Sequence, residues 1–380
     1  MNKMTNSFLK NNMFVVLILC VMQADAQVLA MWNNASDGFR SVAKIQTGAA
    51  SNNPSRINEI VDNQTVAKLF EDRHGNEIEK FMGQLKTRIV LVSADRKIIY
   101  QNFATRSMRN STPLGYSMSK SMAAITMGYA ICSNSNVSIK SKVDGLLPRL
   151  KGTSWGNSTI EDLLLMKSGS AKINPTEGNG WQSEEVAAIH RPVYLGGHNS
   201  DVIDLMIKHD LKEFTSGTSH QYSNYDTIVL GLLVESITKK KFYEYFFETI
   251  WKDVAAAKTG AWIVNGFDQT FTSLGFSASP EDWLRVGHYV IDQIDAQTCL
   301  GKFLQNASEP KEKTYLKTRC YGYQIWNWCR KDAFFFFGYG GQFLIIRPEK
   351  KWVAYVHQTT HENDAKIIGI LYESLNILNH

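Results

Sequence analysis

The chain has 380 residues, 44% of them hydrophobic and 20% charged, with a formal net charge of +5. That is ordinary globular material, enough for a large buried core. The basic excess is small and no Lys/Arg cluster is interleaved with aromatics, so nothing supports a nucleic-acid partner.

Residues 1–26 read as an export signal. Lys3 and Lys10 precede the hydrophobic run Met13–Val21, and Ala24-Asp25-Ala26 offers a small-x-small cleavage site. The run is too short for a good transmembrane span and no later segment replaces it, so no stable transmembrane anchor is expected. Cys20 invites a lipoprotein reading, but the bulky Leu19 before it favours cleavage after Ala26. A periplasmic or secreted protein would hold Cys132, Cys299, Cys320 and Cys329 where disulfides persist. Four cysteines allow three complete pairings, and sequence does not choose among them. One bridge among the closely spaced Cys299, Cys320 and Cys329 is expected. Cys132, in an apolar stretch, reads as a small buried residue. The cysteine spacings and scattered histidines make no metal pattern, and nothing calls for a cofactor. Sequons at Asn34, Asn63, Asn110, Asn136, Asn157 and Asn306 leave glycosylation open without a known host.

After the signal, residues 27–84 form a lead-in, Asn- and Ser-rich with weak periodicity to about 60 and amphipathic and helical over 63–86. The main domain is expected over 85–380. Arg88–Val92 and Lys97–Ala104, around Ala94-Asp95-Arg96, predict a β-hairpin. Residues 115–132 carry small and apolar side chains with no breaker after Gly115, the pattern of a buried helix. From about 135 to 290 the chain is mostly helical pattern and polar loop, with helices expected at 159–167, 200–210, 225–240 and 280–293. Strands return at Tyr321–Trp328, Ala333–Phe337, Gly341–Arg347 and Trp352–His357, before a last helix over 364–378. Strands at both ends with helices between predict one mixed sheet built from both ends of the chain and an inserted, mainly helical subdomain.

The buried helix carries the chemistry. Ser117 falls in its first turn and Lys120 one turn later on the same face, where hydroxyl and amine can meet. The helix start adds unpaired N–H groups and partial positive charge. Acyl transfer needs a nucleophile, an adjacent base and donors for an oxyanion. Ser-x-x-Lys alone is weak, since it recurs at Ser41/Lys44, Ser236/Lys239 and Ser308/Lys311. What lifts Ser117 is its company: Gln221-Tyr222-Ser223-Asn224-Tyr225 about a hundred residues on, and Gly338-Tyr339-Gly340-Gly341-Gln342 about as far again.

Those three stretches, in that order, resemble the serine β-lactamase and penicillin-binding-protein superfamily, most closely its class C-like branch of esterases and 6-aminohexanoate-dimer hydrolases. Lesser markers are Thr159–Gly169 and Gly275–Trp283. The resemblance implies an α+β, β-lactamase/transpeptidase-like fold whose antiparallel sheet is flanked by helices. It also implies roles. Ser117 would form an acyl-enzyme, and Lys120 would take or shuttle its proton once desolvation lowers an amine pKa normally near 10.4. Tyr222 would accept and return protons. Asn224 would orient Lys120 and the substrate amide, and the oxyanion would sit between the N–H of Ser117 and one from the Gly338 edge, at Tyr339. Read from the residues alone, Tyr222 could be a core aromatic, Asn224 a helix N-cap and the glycines a tight turn into a strand.

There is a departure from the family pattern. The third motif usually starts with Lys or His two residues before its glycine, where this chain has Phe336. Losing that cation removes a partner for the carboxylate of penicillin-type substrates. Lys258-Thr259-Gly260 lies out of order and reads as a surface turn. The expected function is an exported serine hydrolase for ester or small amide substrates. The alternatives are a class C-like β-lactamase or DD-peptidase, or a slow homologue that binds cell-wall peptide. Trp155, Trp181, Trp326, Trp328 and Tyr339 could line an acyl pocket, although core packing explains most of them. His220 and His357 suggest a Ser-His-Asp site, but no Gly-x-Ser-x-Gly elbow accompanies them.

Overall fold

The structure is a computed structural model describing residues 38, 43–57, 63–84, 87–170, 201–208, 210–316, 318–330, 332–359 and 364–376. The expected signal segment and Trp181 lie outside these residues.

The hairpin expected near residue 95 is β2 (Thr87–Ala94) and β3 (Lys97–Phe103). Its two-residue link, Asp95-Arg96, takes positive φ at both positions (45° and 60°), the mirror-image turn whose twist matches the strands. The chain returns two hundred residues later as β6 (Glu312–Lys313), β7 (Cys320–Tyr321), β8 (Trp326–Asn327), β9 (Phe334–Gly338), β10 (Gln342–Arg347) and β11 (Trp352–Gln358). These eight strands make one antiparallel sheet in the order β3-β2-β11-β10-β9-β8-β7-β6, with Ala354 of β11 opposite Val92 of β2. A second sheet joins β1 (Ile45–Gly48), β4 (Gly260–Ile263) and β5 (Phe276–Ser277).

Alternation along the central strands explains why their sequences are largely apolar. Ile89 and Leu91 belong to one buried cluster while Val90 and Val92 belong to another, and Leu344 and Ile346 alternate with Phe343 and Ile345 in the same way. Both faces are covered, so both are mainly apolar, and the buried polar exceptions such as Ser93, Gln342 and His357 are hydrogen-bonded. On one side lie α1 (Asn63–His74), α2 (Glu77–Gly83) and α9 (Asp364–Leu375); on the other lie α3 (Met118–Cys132), α7 (Pro280–Asp295) and α8 (Cys299–Ser308). Between α3 and α7 in sequence come α4 (Ile160–Leu164), α5 (Val202–Lys208), α6 (Asn224–Thr238) and a run of helical turns over Phe242–Val254. The helix expected over 63–86 is two helices. Gly75, at φ 59°, ends the first in the left-handed conformation that stops helices.

Cys132 is half-exposed and bonded to Cys299, joining the end of α3 to the start of α8, while Cys320 bonds Cys329 across the β7–β8 turn. The bridge among the later cysteines is as expected. The reading of Cys132 as a small buried residue is corrected, because the start of α8, capped by Thr298, brings Cys299 to it.

Two buried histidines set a pH dependence. His288 shares a 2.8 Å hydrogen bond with Ser93, and burial, helped by Arg96, pushes its pKa down to about 3. Burial, with Arg88 nearby, does the same to His357. Both folded values are depressed below the ordinary 6.5. The stability they confer is therefore complete above pH 6.5 and drains as pH falls toward 3. The melting temperature is expected to drop between pH 7 and pH 5; a flat profile over that interval would contradict it.

Candidate active site

Ser117 is the N-cap residue of α3, and its side chain makes no capping bond, which leaves the hydroxyl to other partners. The turn before it is sharp. Tyr116 stands at φ 46°, a left-handed conformation costing a side-chain-bearing residue about 1 kcal/mol. Two clasps hold this turn to β5: Gly115 N–H donates to the Phe276 carbonyl (2.8 Å), and Phe276 N–H donates to the Ser119 hydroxyl (2.9 Å). Nearly every residue of α3 is buried, so its start is fixed from all sides.

Lys120, one turn on, is 1% exposed. Its Nζ lies 2.9 Å from Ser117 Oγ, 2.6 Å from Asn224 Oδ1 and 2.8 Å from the Ser273 carbonyl. All three partners are neutral. Burial therefore holds the amine well below its ordinary pKa, since none of these partners carries a charge that would restore the proton.

Tyr222 completes the group. Its phenol is hydrogen-bonded with the Ser117 hydroxyl, and Lys120 Nζ sits 5.1 Å from its ring centre. Desolvation raises the phenol above its ordinary pKa, and the Ser117 bond opposes the rise. Trp326 (5.5 Å) and Tyr321 (5.9 Å) wall the ring. Ser117, Tyr222 and Asn224 remain partly exposed while Lys120 does not. Solvent reaches the Ser117 hydroxyl but not the Lys120 amine.

Asn224 is the first residue of α6 rather than its cap; that position belongs to Ser223, whose hydroxyl accepts from Tyr225 N–H. Gly338, the last residue of β9, is pressed against the turn that leads into α3: a β-carbon there would lie 2.2 Å from the Gly115 carbonyl oxygen. Tyr339 follows, its ring edge-on to Tyr116 at 5.9 Å. The residues singled out in sequence thus converge from α3, α6 and the β9–β10 link.

Other expectations land elsewhere. Phe336 is fully buried in the cluster that contains Met118 and Met122. Lys258 donates toward the Asn110 side chain, Asp282 accepts from the Ala257 and Lys258 N–H groups, and Gly260 opens β4, so the turn leads into a strand. Ser236 donates to the Leu146 carbonyl at 2.6 Å. His220 is engaged with the Leu165 carbonyl. Of the aromatics, Trp326 borders Tyr222, whereas Trp328 packs on Phe335 and Tyr372, away from Tyr222 in the same apolar cluster. Among the described residues no cluster of three His, Cys, Asp or Glu could hold a metal.

One buried group went unremarked in sequence. Asp226, 0% exposed, accepts from Trp155 Nε1 (3.1 Å), Ser168 Oγ (2.7 Å) and Ser168 N–H (3.2 Å), with Ser223 adding another bond. It bolts the start of α6, and with it the Tyr222–Asn224 arm, to the segment after α4. Desolvation outweighs these donors and raises its pKa to about 7. The only sequence signal was an acidic residue in a helix's first turn, which commonly means a solvated charge.

The family model described as Beta-lactamase matches residues 75–372. Among solved structures, a Bacillus anthracis protein assigned as a 6-aminohexanoate-dimer hydrolase is similar at a TM-score of 0.74 and 15% identity, over 90% of this chain and 92% of that one. A class C beta-lactamase gives 0.59 at 14% identity, over 84% and 98%. A penicillin-binding protein from Bacillus halodurans gives 0.60 at 15%, over 78% and 99%. At such identities the likeness is one of fold. No curated protein matches the chain.

Proposed function

The chain belongs to the beta-lactamase family, and on that premise we propose that it is an exported serine hydrolase cleaving ester or small amide bonds through an acyl-enzyme on Ser117. The observation that carries this reading is Lys120: a buried amine 2.9 Å from Ser117 Oγ, held below its ordinary pKa by desolvation. Neutral Lys120 takes the hydroxyl proton as Oγ attacks the substrate carbonyl. The oxyanion forms between the N–H groups of Ser117 and Tyr339. Tyr222, bonded to Ser117 and beside Lys120, relays the proton to the departing alkoxide or amine. Asn224 keeps Lys120 aimed. Water then attacks the acyl carbon, giving its proton back through the same pair and releasing Ser117.

Ester or small amide substrates are favoured over penicillins because the usual cation of the third motif is Phe336, sealed in the core. The 6-aminohexanoate-dimer hydrolase neighbour fits an amide. A slow cell-wall-peptide binder has no use for a desolvated base beside an accessible hydroxyl. Export is supported by the N-terminal run and by two disulfides, which persist in oxidising compartments. No helix among the described residues is long and apolar enough to cross a membrane.

Intact-mass analysis with a fluorophosphonate, a p-nitrophenyl ester and a penicillin tests the proposal. A single fluorophosphonate adduct mapping to Ser117 is expected, together with ester turnover, no lasting penicillin adduct and no labelling of Ser117→Ala. Labelling that survives in Ser117→Ala would refute the assignment.

A further inference from the structure

Tyr339, proposed above as an oxyanion donor, lies in a three-residue link between β9 and β10 whose other members are glycines. Gly340 and Gly341 both take left-handed φ values, 79° and 84°. Glycines allow that path but do nothing to hold it, since they lose the most freedom when ordered. The restraint comes from Gln342, wholly buried as the first residue of β10. Its Nε2 donates to the Tyr339 carbonyl (3.1 Å) and to the Gln358 carbonyl in β11 (2.8 Å). Its Oε1 meets His357 Nδ1.

This network assigns its own protons. Two carbonyls can only accept, so the amide nitrogen must face them and the amide oxygen must face the ring. His357 therefore donates from Nδ1. Its Nε2 is buried with no partner, as suits an unprotonated lone pair, and the ring is 0% exposed. Every hydrogen-bonding group of the Gln342 side chain is then used, in a place where an unmade bond would be costly.

We propose that Gln342 and His357 are positioning residues of the oxyanion hole: His357 fixes the Gln342 amide, and Gln342 ties down the Tyr339 carbonyl and so the Tyr339 peptide beside Ser117. The inference rests on the serine-hydrolase reading. An oxyanion donor works only when its N–H is within about 0.2 Å of its place, because donors act at 2.7–3.1 Å from the developing charge. A link freed from Gln342 lets that N–H wander, and misplacement by about 1 Å can cost on the order of 10²-fold in rate. Ground-state binding, which precedes the oxyanion, would be spared.

The test is steady-state ester hydrolysis per serine titrated with fluorophosphonate, so that misfolded protein drops out of the count. Gln342→Met keeps the volume and loses the bonds; its kcat is expected to fall about 10- to 100-fold with KM within about twofold. His357→Leu should fall in the same direction. His357→Asn, which can donate from the Nδ1 position, should stay within about threefold of the parent. Equal kcat in the parent, Gln342→Met and His357→Leu, with Ser117 titrating normally, would overturn the proposal while leaving the serine-hydrolase reading intact. A melting temperature lowered without change in kcat would likewise show a purely structural role. Failure of the parent to titrate at Ser117 would remove both.

Discussion

Lys120→Met is expected to lower kcat/KM for esters by about 10³-fold or more, and Lys120→Arg is expected not to rescue it. A guanidinium stays protonated and cannot accept the Ser117 proton, so charge at this place is a liability rather than an asset. The pH profile carries the sign. The folded pKa of Lys120 lies well below the ordinary 10.5 because burial penalises the ammonium. The reactive neutral amine then accumulates at correspondingly lower pH, so kcat/KM should rise with pH along a limb well below 10.5 and reach a plateau. A limb near pH 10, or activity retained in Lys120→Arg, would remove Lys120 as the base. The same burial burdens the fold: below pH 10.5 the unfolded lysine holds a proton that folding disfavours. Lys120→Met should therefore lose its activity without losing melting temperature.

The second large effect is steric. Gly338→Ala would put a β-carbon 2.2 Å from the Gly115 carbonyl oxygen, with Gln342 side-chain atoms at 3.0 Å and 3.2 Å. Neither side can yield freely. That carbonyl accepts from Met118 N–H (3.0 Å) and Gly115 N–H donates to Phe276, while Gly338 is held in register opposite Gln342. The nucleophile turn and the end of β9 must separate, and that distance sets the gap between Ser117 and Tyr339. A loss of about 10²-fold in kcat and about 1–3 kcal/mol in stability is expected. Gly83→Ala, with nothing near its β-carbon, serves as the neutral control. Matching kinetics in the two variants would show that this contact does not govern the site.

Much of this arrangement was legible in sequence because it is local or periodic. Ser117 and Lys120 meet through helix spacing alone, and Asp95-Arg96 sits between two apolar runs as a hairpin turn should. The Phe334–Phe337 run reads as a strand once both faces of the sheet are taken as covered. What stayed hidden depends on distant partners. The single strand expected over Tyr321–Trp328 is two, β7 and β8, folded back on each other and too short to show a period, and β1 gains its partner β4 only through the fold. Asp226 looks like a solvated first-turn acid until Trp155 and Ser168 close over it. Gln342 closes the third motif and His357 suggests a Ser-His-Asp site, yet nothing local says that the two are dry partners or which atom faces which.

The pairing of β2 with β11 has a consequence for how the protein is made. Ala94 and Trp352 are neighbours across the ladder, so the hairpin emerges from the ribosome long before its partner exists. At about 5–20 residues per second, the nascent chain waits tens of seconds with an unsatisfied strand edge and no assembled cleft. Pairing over so long a separation is slow to form. A chain that cannot close early stays open, with the proposed site unassembled, until synthesis has passed Gln358.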